Sequence, residues 1–257
     1  DVERSRGLGD VYKRQAGESR EELASLGTAA VIDVSFEVAK GETFVVMGLS
    51  GSGKSTLIRM INGLWSPSEG TVEVAGKVVS GMNDAQMRAL RRDHVSMVFQ
   101  HFALLPHLTV RENAAYGLKL QGKLKQKERL EKANEWLNTV GLNGWGDKYP
   151  HQLSGGMQQR VGLARALAAE TDILLMDEAF SALDPLIRRE MQDQLLELQG
   201  ALNKTIIFIT HDLNEAMYLG DHIAVMRNGR VAQIGTSDEI LTQPVSYTHL
   251  RAHETSL

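Results

Sequence analysis

A glycine-rich loop lies between an apolar run and a helix-forming segment near the start of the chain. The apolar run is Thr43–Met47, the loop occupies 48–55, and the helix-forming segment is 56–61. Glycines adopt backbone angles closed to other residues, so successive N–H groups can point inward at a phosphate chain, and the helix N-terminus adds a partial positive charge. The residues expected to bind a triphosphate are Gly48, Ser50, Gly51, Ser52, Gly53, Lys54, Ser55 and Thr56.

Two side chains of this loop supply its specific chemistry. Lys54 is placed to reach the β- and γ-phosphates, and the Ser55 hydroxyl is placed to bind Mg²⁺. A chance glycine-rich turn is the alternative interpretation. Because every fixed position of the pattern is filled and the flanking segments follow in the required order, the sequence favours phosphate binding.

A pair of carboxylates follows a second apolar run. Residues 173–176 are all apolar, which is typical of a buried parallel strand, and Asp177 and Glu178 come directly after them. Asp177 can hold Mg²⁺ with its water, and Glu178 can orient or deprotonate the attacking water. Adjacent carboxylates are usually only surface acids, but their place at a buried strand end downstream of a phosphate loop favours catalysis.

Two other polar side chains also come at the ends of apolar strands. Gln100 follows 94–99, and its amide oxygen can coordinate Mg²⁺ or the attacking water. His211 follows the strand-like segment 206–210 and can donate a hydrogen bond to a γ-phosphate oxygen. Considered alone, Gln100 would more often be a solvated loop residue and His211 a structural histidine.

A second candidate anion site lies in the middle of the chain. Ser154, Gly155 and Gly156 come just before the helix-prone segment 161–169, so the logic of the first loop applies again. A serine followed by two glycines is by itself a common loop and a weak signal. Its value depends on the other motifs.

The segments around these motifs indicate the architecture. Apolar and polar residues alternate over 31–38 and 71–76, which predicts two half-buried strands and an α/β core with an antiparallel edge. From about 101 to 165 the chain is predicted to form an inserted helical subdomain, with a charged amphipathic helix at 123–137. The apolar stripe of that helix is Leu130, Ala133, Leu137 and Val140.

Composition limits the possible functions. The chain has 257 residues, enough for one large or two modest domains, and a formal net charge of −4, which gives no electrostatic basis for general nucleic-acid binding. It contains no cysteine, so disulfides and thiolate metal sites are excluded. Its longest apolar runs fall far short of the roughly 20 residues that span a bilayer. Any work at a membrane therefore requires a partner.

Both ends of the chain look foreign. A DNA stretch that encodes 5–15 can, on its reverse complement, encode 244–254, and a natural protein has no reason to carry both strands of one segment. We therefore interpret 1–15 and 244–257 as adapter-derived tails and 16–243 as the domain. Two short natural tails are the alternative interpretation.

The order of the motifs resembles the nucleotide-binding subunits of ABC transporters over nearly all of about 30–243. The motifs that carry the resemblance are the phosphate loop 48–55, Gln100, the signature 153–158, the acidic strand end 177–178 with 181–184, and His211. The resemblance implies a P-loop NTPase core, ATP and Mg²⁺ as ligands, and a head-to-tail homodimer. In that family the signature serine and glycines of one subunit close on the ATP held by the other.

Carried over to this chain, the resemblance implies that Ser154 and Gly156, with Gly155 between them, act on the partner's nucleotide. Asp184 would lie at the dimer interface and couple the two sites. The residues implied to act on the chain's own nucleotide are Lys54, Ser55, Gln100, Asp177, Glu178 and His211.

A narrower resemblance is to the ATPase subunits of glycine betaine, proline and choline importers. It rests on 177–188, 48–53 and 100–107, and on 19–23, which is similar to an insertion those subunits carry. It implies a membrane permease, an extracytoplasmic substrate-binding protein, no nucleic-acid partner and a peripheral place on the cytoplasmic face of the membrane. Those importers usually carry an adenine-stacking aromatic upstream of this insertion, and here the foreign tail replaces that region, so no stacking residue can be named. Paired regulatory domains often follow the ATPase core in these importers, and we expect the chain to be cut where they would start.

A different class of function stays open at the level of sequence. ABC ATPase domains also occur as soluble mechanical modules on the ribosome or DNA. Those chains commonly fuse two ATPase cores or carry coiled coils or basic arms, and this sequence has none of these features.

Overall fold

A mixed sheet and a small separate hairpin form the β-structure of the computed structural model, which describes residues 29–100 and 102–243. The strands are β1 (Thr43–Met47), β2 (Glu73–Val74), β3 (Lys77–Val78), β4 (Val95–Val98), β5 (Ile173–Asp177), β6 (Thr205–Thr210), β7 (His222–Arg227) and β8 (Arg230–Gly235). The main sheet has the order β4-β5-β6-β1-β7-β8, with β8 antiparallel and the others parallel. The carboxyl ends of β1, β4, β5 and β6 therefore meet at one edge, where ligands bind in open α/β sheets.

The sheet is buried on both faces, as its continuous apolar strands predict. All five residues of β1 are buried, and the four apolar ones alternate between two clusters. Phe44 and Val46 pack in one cluster, while Val45 and Met47 pack in the other, because successive strand side chains point to opposite faces. The phosphate loop thus extends from a strand that is fixed on both sides.

Helices cover the two faces of the sheet. They are α1 (Lys54–Ile61), α2 (Asp84–His94), α3 (Val110–Ala114), α4 (Tyr116–Gln121), α5 (Gln126–Thr139), α6 (Gly155–Ala168), α7 (Pro185–Leu202), α8 (Leu213–Leu219) and α9 (Ser237–Thr242). A short 3₁₀ turn, Pro150–Gln152, precedes α6. Within the described residues, no helix combines the length and apolar character needed to cross a bilayer.

The predicted helical segment is confirmed within the described residues. Helix α5 extends two residues beyond the predicted 123–137 and begins three residues later. Ala133, Leu137 and Val140 are buried, and Leu130 packs against them at the edge of the same cluster. Helices α3, α5 and α6 pack on one another, so the insert is joined to the sheet through the buried helix α6.

The prediction of a strand at 31–38 is wrong. This segment has no regular secondary structure, and Asp33 takes a φ of +47°, which interrupts an extended backbone. The segment instead packs by side chains, and the Phe36 ring stacks on Phe44 with centroids 4.8 Å apart.

The second alternating segment forms less β-structure than the sequence predicts. Of 71–76, only the two residues of β2 pair, with β3, in a hairpin separate from the main sheet. The antiparallel edge of the main sheet is provided instead by β8, far along the chain. The proposed tails 1–15 and 244–257 and the insertion at 19–23 lie outside the described residues, so the domain boundaries stay predictions.

Candidate functional site

The phosphate loop is held in a conformation that requires glycine. Gly53 has a φ of +103°, and a Cβ there would overlap the Ala30 carbonyl oxygen. A Cβ at Gly48 would overlap the Met226 carbonyl oxygen in the same way. The carbonyl of Gly53 also accepts from the Leu57 N–H at 2.9 Å in the first turn of α1. The loop therefore turns sharply onto the N-terminus of α1, with its backbone close to two neighbouring segments.

Lys54 lies inside this turn. Its ammonium donates to the carbonyl oxygens of Gly48 at 2.7 Å and Leu49 at 3.0 Å. Burial lowers the pKa of Lys54, and the nearby Glu178 and Asp177 carboxylates partly oppose that shift. The loop thus holds a desolvated cation at the place where a phosphate chain needs a counter-charge.

Ser55 and Asp177 bring two oxygen donors together. The Ser55 hydroxyl donates to Asp177 Oδ1 at 3.2 Å, across 122 positions of sequence. Burial raises the pKa of Asp177, while the hydrogen bond from Ser55 acts in the opposite direction. A hydroxyl and a carboxylate side by side are the hard oxygen ligands that Mg²⁺ prefers, so these residues fit that ion.

The Glu178 carboxylate contacts two of the other predicted site residues, Gln100 and His211. The Gln100 side-chain amide donates to Glu178 Oε2 at 3.1 Å, and His211 Nδ1 lies 3.3 Å from Oε1. The backbone of Glu178 has a φ of +47°, and its N–H donates to the Ile209 carbonyl at 3.0 Å. Ser181 fixes the other side of the peptide by donating from its N–H and hydroxyl to the Glu178 carbonyl. A non-glycine residue in this region of φ is strained, and such strain is concentrated at functional sites.

The signature residues lie at the N-terminus of α6. Ser154 caps α6, accepting from the Met157 N–H at 3.3 Å, and a Cβ added at Gly155 would meet open space. At Gly156 an added Cβ would lie 3.2 Å from Leu183. Asp184, the next residue, caps α7 by accepting from the Ile187 N–H at 3.1 Å. The signature and the Asp184 loop are therefore neighbours within one chain.

A hydrogen bond from Gly229 to the phosphate loop was not predicted from the sequence. The turn between β7 and β8 contains Gly229, whose N–H donates to the Ser52 carbonyl at 3.0 Å and whose carbonyl accepts from the Ile32 N–H at 2.7 Å. Asn228 and Gly229 both have positive φ, as an Asn-Gly hairpin turn requires. The Asn-Gly pair was a signal for the turn, but nothing local showed that the turn meets a loop about 180 residues earlier.

The chain matches the family model described as "ABC transporter" over residues 31–181. It is 57% identical over 230 residues to the glycine betaine transport ATP-binding protein OpuAA of Bacillus subtilis, covering 89% of this chain and 55% of that protein. It is 58% identical to the glycine betaine/carnitine transport ATP-binding protein GbuA of Listeria monocytogenes, covering 85% and 55%. To the glycine betaine/proline betaine ProV of Escherichia coli it is 56% identical, covering 84% and 54%. The chain thus spans about half the length of these curated relatives.

The fold matches solved structures at similar coverage. Two dimeric structures of the ATP-binding cassette MJ0796, one of them bound to ADP and Pi, superpose with a TM-score of 0.78 at 36% identity. Each match covers 81% of this chain and 90% of the other.

We expect Asp177→Asn to stabilise the chain when Mg²⁺ is absent. Because burial raises the pKa of Asp177, the folded state binds its proton more tightly than the unfolded state does. Its contribution to stability is therefore fully present below the unfolded pKa of about 3.9 and is lost as the pH rises through the folded pKa. The substitution should raise the thermal unfolding midpoint by about 2–4 °C near pH 7.5, and by less near pH 5.

Scanning calorimetry at both pH values measures this effect. Asp147→Asn is the matched control, since Asp147 is exposed and paired only at the surface with Arg111. A lower midpoint for Asp177→Asn than for the parent chain near neutral pH would contradict the expectation.

Proposed function

The chain belongs to the ABC transporter family, and on that premise we propose that it is the ATP-binding and ATP-hydrolysing subunit of an importer for a quaternary amine osmolyte such as glycine betaine, proline or choline. The observation that carries the proposal is the meeting of Gln100 and His211 on the Glu178 carboxylate, beside a lysine-containing phosphate loop. The substrate class is supported by relatives named for glycine betaine transport.

The phosphate loop binds the triphosphate of ATP in this proposal. Backbone N–H groups of 48–56 donate to phosphate oxygens, and Lys54 neutralises charge at the β- and γ-phosphates. Ser55, Asp177 and Gln100 supply the oxygen ligands for Mg²⁺, which when bound offsets the charge on the leaving phosphates. Asp177 is buried, and the hydrogen bond from the Ser55 hydroxyl holds its carboxylate beside that residue.

Glu178 acts as the general base or orients the attacking water. Its carboxylate is partly shielded, and Gln100 and His211 each approach a different oxygen of it. His211 donates a hydrogen bond to the γ-phosphate. It lies beside Glu178, so both side chains act at the same reaction centre. The Gln100 amide oxygen remains available to water or metal while its NH₂ group donates to Glu178.

A second copy of the chain completes each site. Ser154, Gly155 and Gly156 of one subunit close on the γ-phosphate held by the other, because α6 presents its capped N-terminus and an open glycine there. Asp184 lies between the two sites and couples them. The dimeric state of the MJ0796 structures supports a head-to-tail homodimer.

The remaining partners are membrane permease subunits and an extracytoplasmic substrate-binding protein, without nucleic acid. In this arrangement the subunit is peripheral, on the cytoplasmic face of the membrane, and ATP-driven closure passes to the permease through the helical segment near Gln100. A soluble module on the ribosome or DNA is the alternative, and the transport names of the relatives weigh against it.

We expect Glu178→Gln to bind ATP but to hydrolyse it at least about 100-fold more slowly, because the amide cannot accept a proton from the attacking water. Steady-state phosphate release and a nucleotide-binding titration measure the two properties. Glu197→Gln makes the same chemical change on the exposed face of α7 and should leave both unchanged. Near-normal turnover in Glu178→Gln would exclude the assigned role.

We expect Ser154→Arg to retain ATP binding and lose ATP-dependent dimer closure, because the long cation would fill the space that the partner's γ-phosphate must enter. Light scattering after size exclusion, with and without ATP in the Glu178→Gln background, measures the dimer. Ser66→Arg, at an exposed turn after α1, is the control. A normal ATP-dependent dimer with Ser154→Arg would mean that the signature does not act on the partner's nucleotide.

The transport proposal is tested by replacing the matching part of OpuAA in Bacillus subtilis with residues 29–243 of this chain. We expect the fusion to restore uptake of labelled glycine betaine in a strain lacking OpuAA, and Lys54→Ala in the same fusion to abolish it. A fusion that hydrolyses ATP and assembles with the permease but gives no uptake would contradict the substrate assignment. Copurification with ribosomes or DNA instead of permease would support the alternative.

A further inference from the structure

A buried carboxylate lies behind the proposed reaction centre, and the mechanism above does not use it. Glu215, in α8, is largely buried, and burial raises the pKa of its carboxyl group. Taking a carboxylate out of water is costly unless hydrogen bonds compensate it. One of its two oxygens accepts a hydrogen bond from Thr210 at the end of β6, and the other accepts from Gln192 in α7.

One oxygen of Glu215 is hydrogen-bonded to Thr210, the residue before His211. The Thr210 hydroxyl donates to Glu215 Oε2 at 2.5 Å, and the same hydroxyl oxygen accepts from the Asp212 N–H at 3.0 Å. The Thr210 hydroxyl thus links Thr210 and Asp212, the two residues that flank His211, to Glu215. His211 itself is more than half exposed, so its direction toward Glu178 depends on this backbone.

The other oxygen of Glu215 is bonded to α7. The Gln192 side chain donates to Glu215 Oε1 at 3.2 Å, and Arg188 Nε lies 3.8 Å from the same oxygen. Arg188 also donates from Nη2 to the Leu183 carbonyl at 3.2 Å and lies 3.8 Å from the Asp212 carboxylate. Helix α7 begins directly after Asp184. The carboxylate therefore lies between the loop of His211 and the loop of Asp184.

We propose that Glu215 is a positioning residue that holds the His211 loop in fixed geometry relative to the Leu183–Asp184 loop, and so links the chain's own site to its partner-facing edge. The inference rests on the proposed function, which gives His211 and Asp184 their roles. Glu215 contacts neither nucleotide nor water in this scheme. It acts through Thr210 on one side and through Gln192 and Arg188 on the other.

The donor and acceptor pattern supplies a specific test. Glu215→Gln converts one acceptor oxygen into an NH₂ donor and removes the charge that faces Arg188, so the contact with Gln192 persists only if Gln192 turns its own amide. The double variant Glu215→Gln with Gln192→Glu returns a carboxylate to the same contact, with the donor and acceptor sides exchanged. Thr210→Val removes the link from the other end with little change in shape. Glu197→Gln is the control for the chemical change alone.

Two readouts separate positioning from general stability. Histidine labelled with ¹³C at Cε1 gives a ring resonance for His211, assigned by its loss in His211→Ala, and the resonance of His222 is an internal reference. Steady-state kinetics give kcat and KM for ATP on the same samples, and thermal unfolding reports stability.

We expect Glu215→Gln and Thr210→Val to shift or broaden the His211 resonance while leaving that of His222 in place. Turnover should fall about 10- to 100-fold with KM for ATP within about twofold, the size of effect that a misplaced catalytic group produces. The Glu215→Gln, Gln192→Glu double variant should recover turnover to within about threefold of the parent chain.

An unchanged His211 resonance in both Glu215→Gln and Thr210→Val would overturn the proposal, as would a loss of turnover that the double variant makes worse. If the parent chain hydrolyses no ATP, the proposed function fails on that result alone. The resonance measurement then still decides whether Glu215 positions His211.

Discussion

The register of the parallel strands is the constraint on which the site depends. Met47 of β1 lies opposite Thr210 of β6, and Asp177 of β5 lies opposite Ile209. The next residues along these strands are Gly48, His211 and Glu178, so the phosphate loop, the histidine and the second carboxylate emerge at one level. A slip of one residue would turn every side chain to the opposite face and separate these groups. The packing of both faces of β1 therefore also fixes the geometry of the reaction centre.

This edge of the sheet carries buried ionisable groups. Burial disfavours the charged forms of both Lys54 and Asp177, as the directions of their pKa shifts indicate. Glu178 adds a strained backbone, which is held by hydrogen bonds to Ile209 and Ser181. Desolvated charge and strained backbone at one place are typical of sites where stability is exchanged for preorganisation. The surrounding buried strands supply the rigidity that keeps both in place.

The sequence was sufficient where local patterns determine structure. Gln100, Asp177, Glu178 and His211 were predicted because each follows an apolar strand. The structure places Gln100 and His211 beside Glu178, while the catalytic roles stay predictions. The prediction of a strand at 31–38 failed because alternation of apolar and polar residues reflects side-chain burial and does not show the positive φ of Asp33. Gly229 and Glu215 were also missed. Their roles arise from contacts with residues distant in sequence or on another helix, which no local period records.

The signature and the Asp184 loop touch within one chain, and this contact bears on how a two-site ATPase would work. Gly156 packs against Leu183, so a larger residue at Gly156 would press on the segment that leads into α7. The Leu183 carbonyl in turn accepts from Arg188, which approaches the Asp212 and Glu215 carboxylates on either side of the His211 backbone. A series of packed, hydrogen-bonded and ion-paired groups thus runs from the signature to the histidine. Since the signature is assigned to the partner's nucleotide and the histidine to the chain's own, closure at one site would bear mechanically on the other through contacts that already exist in the single subunit.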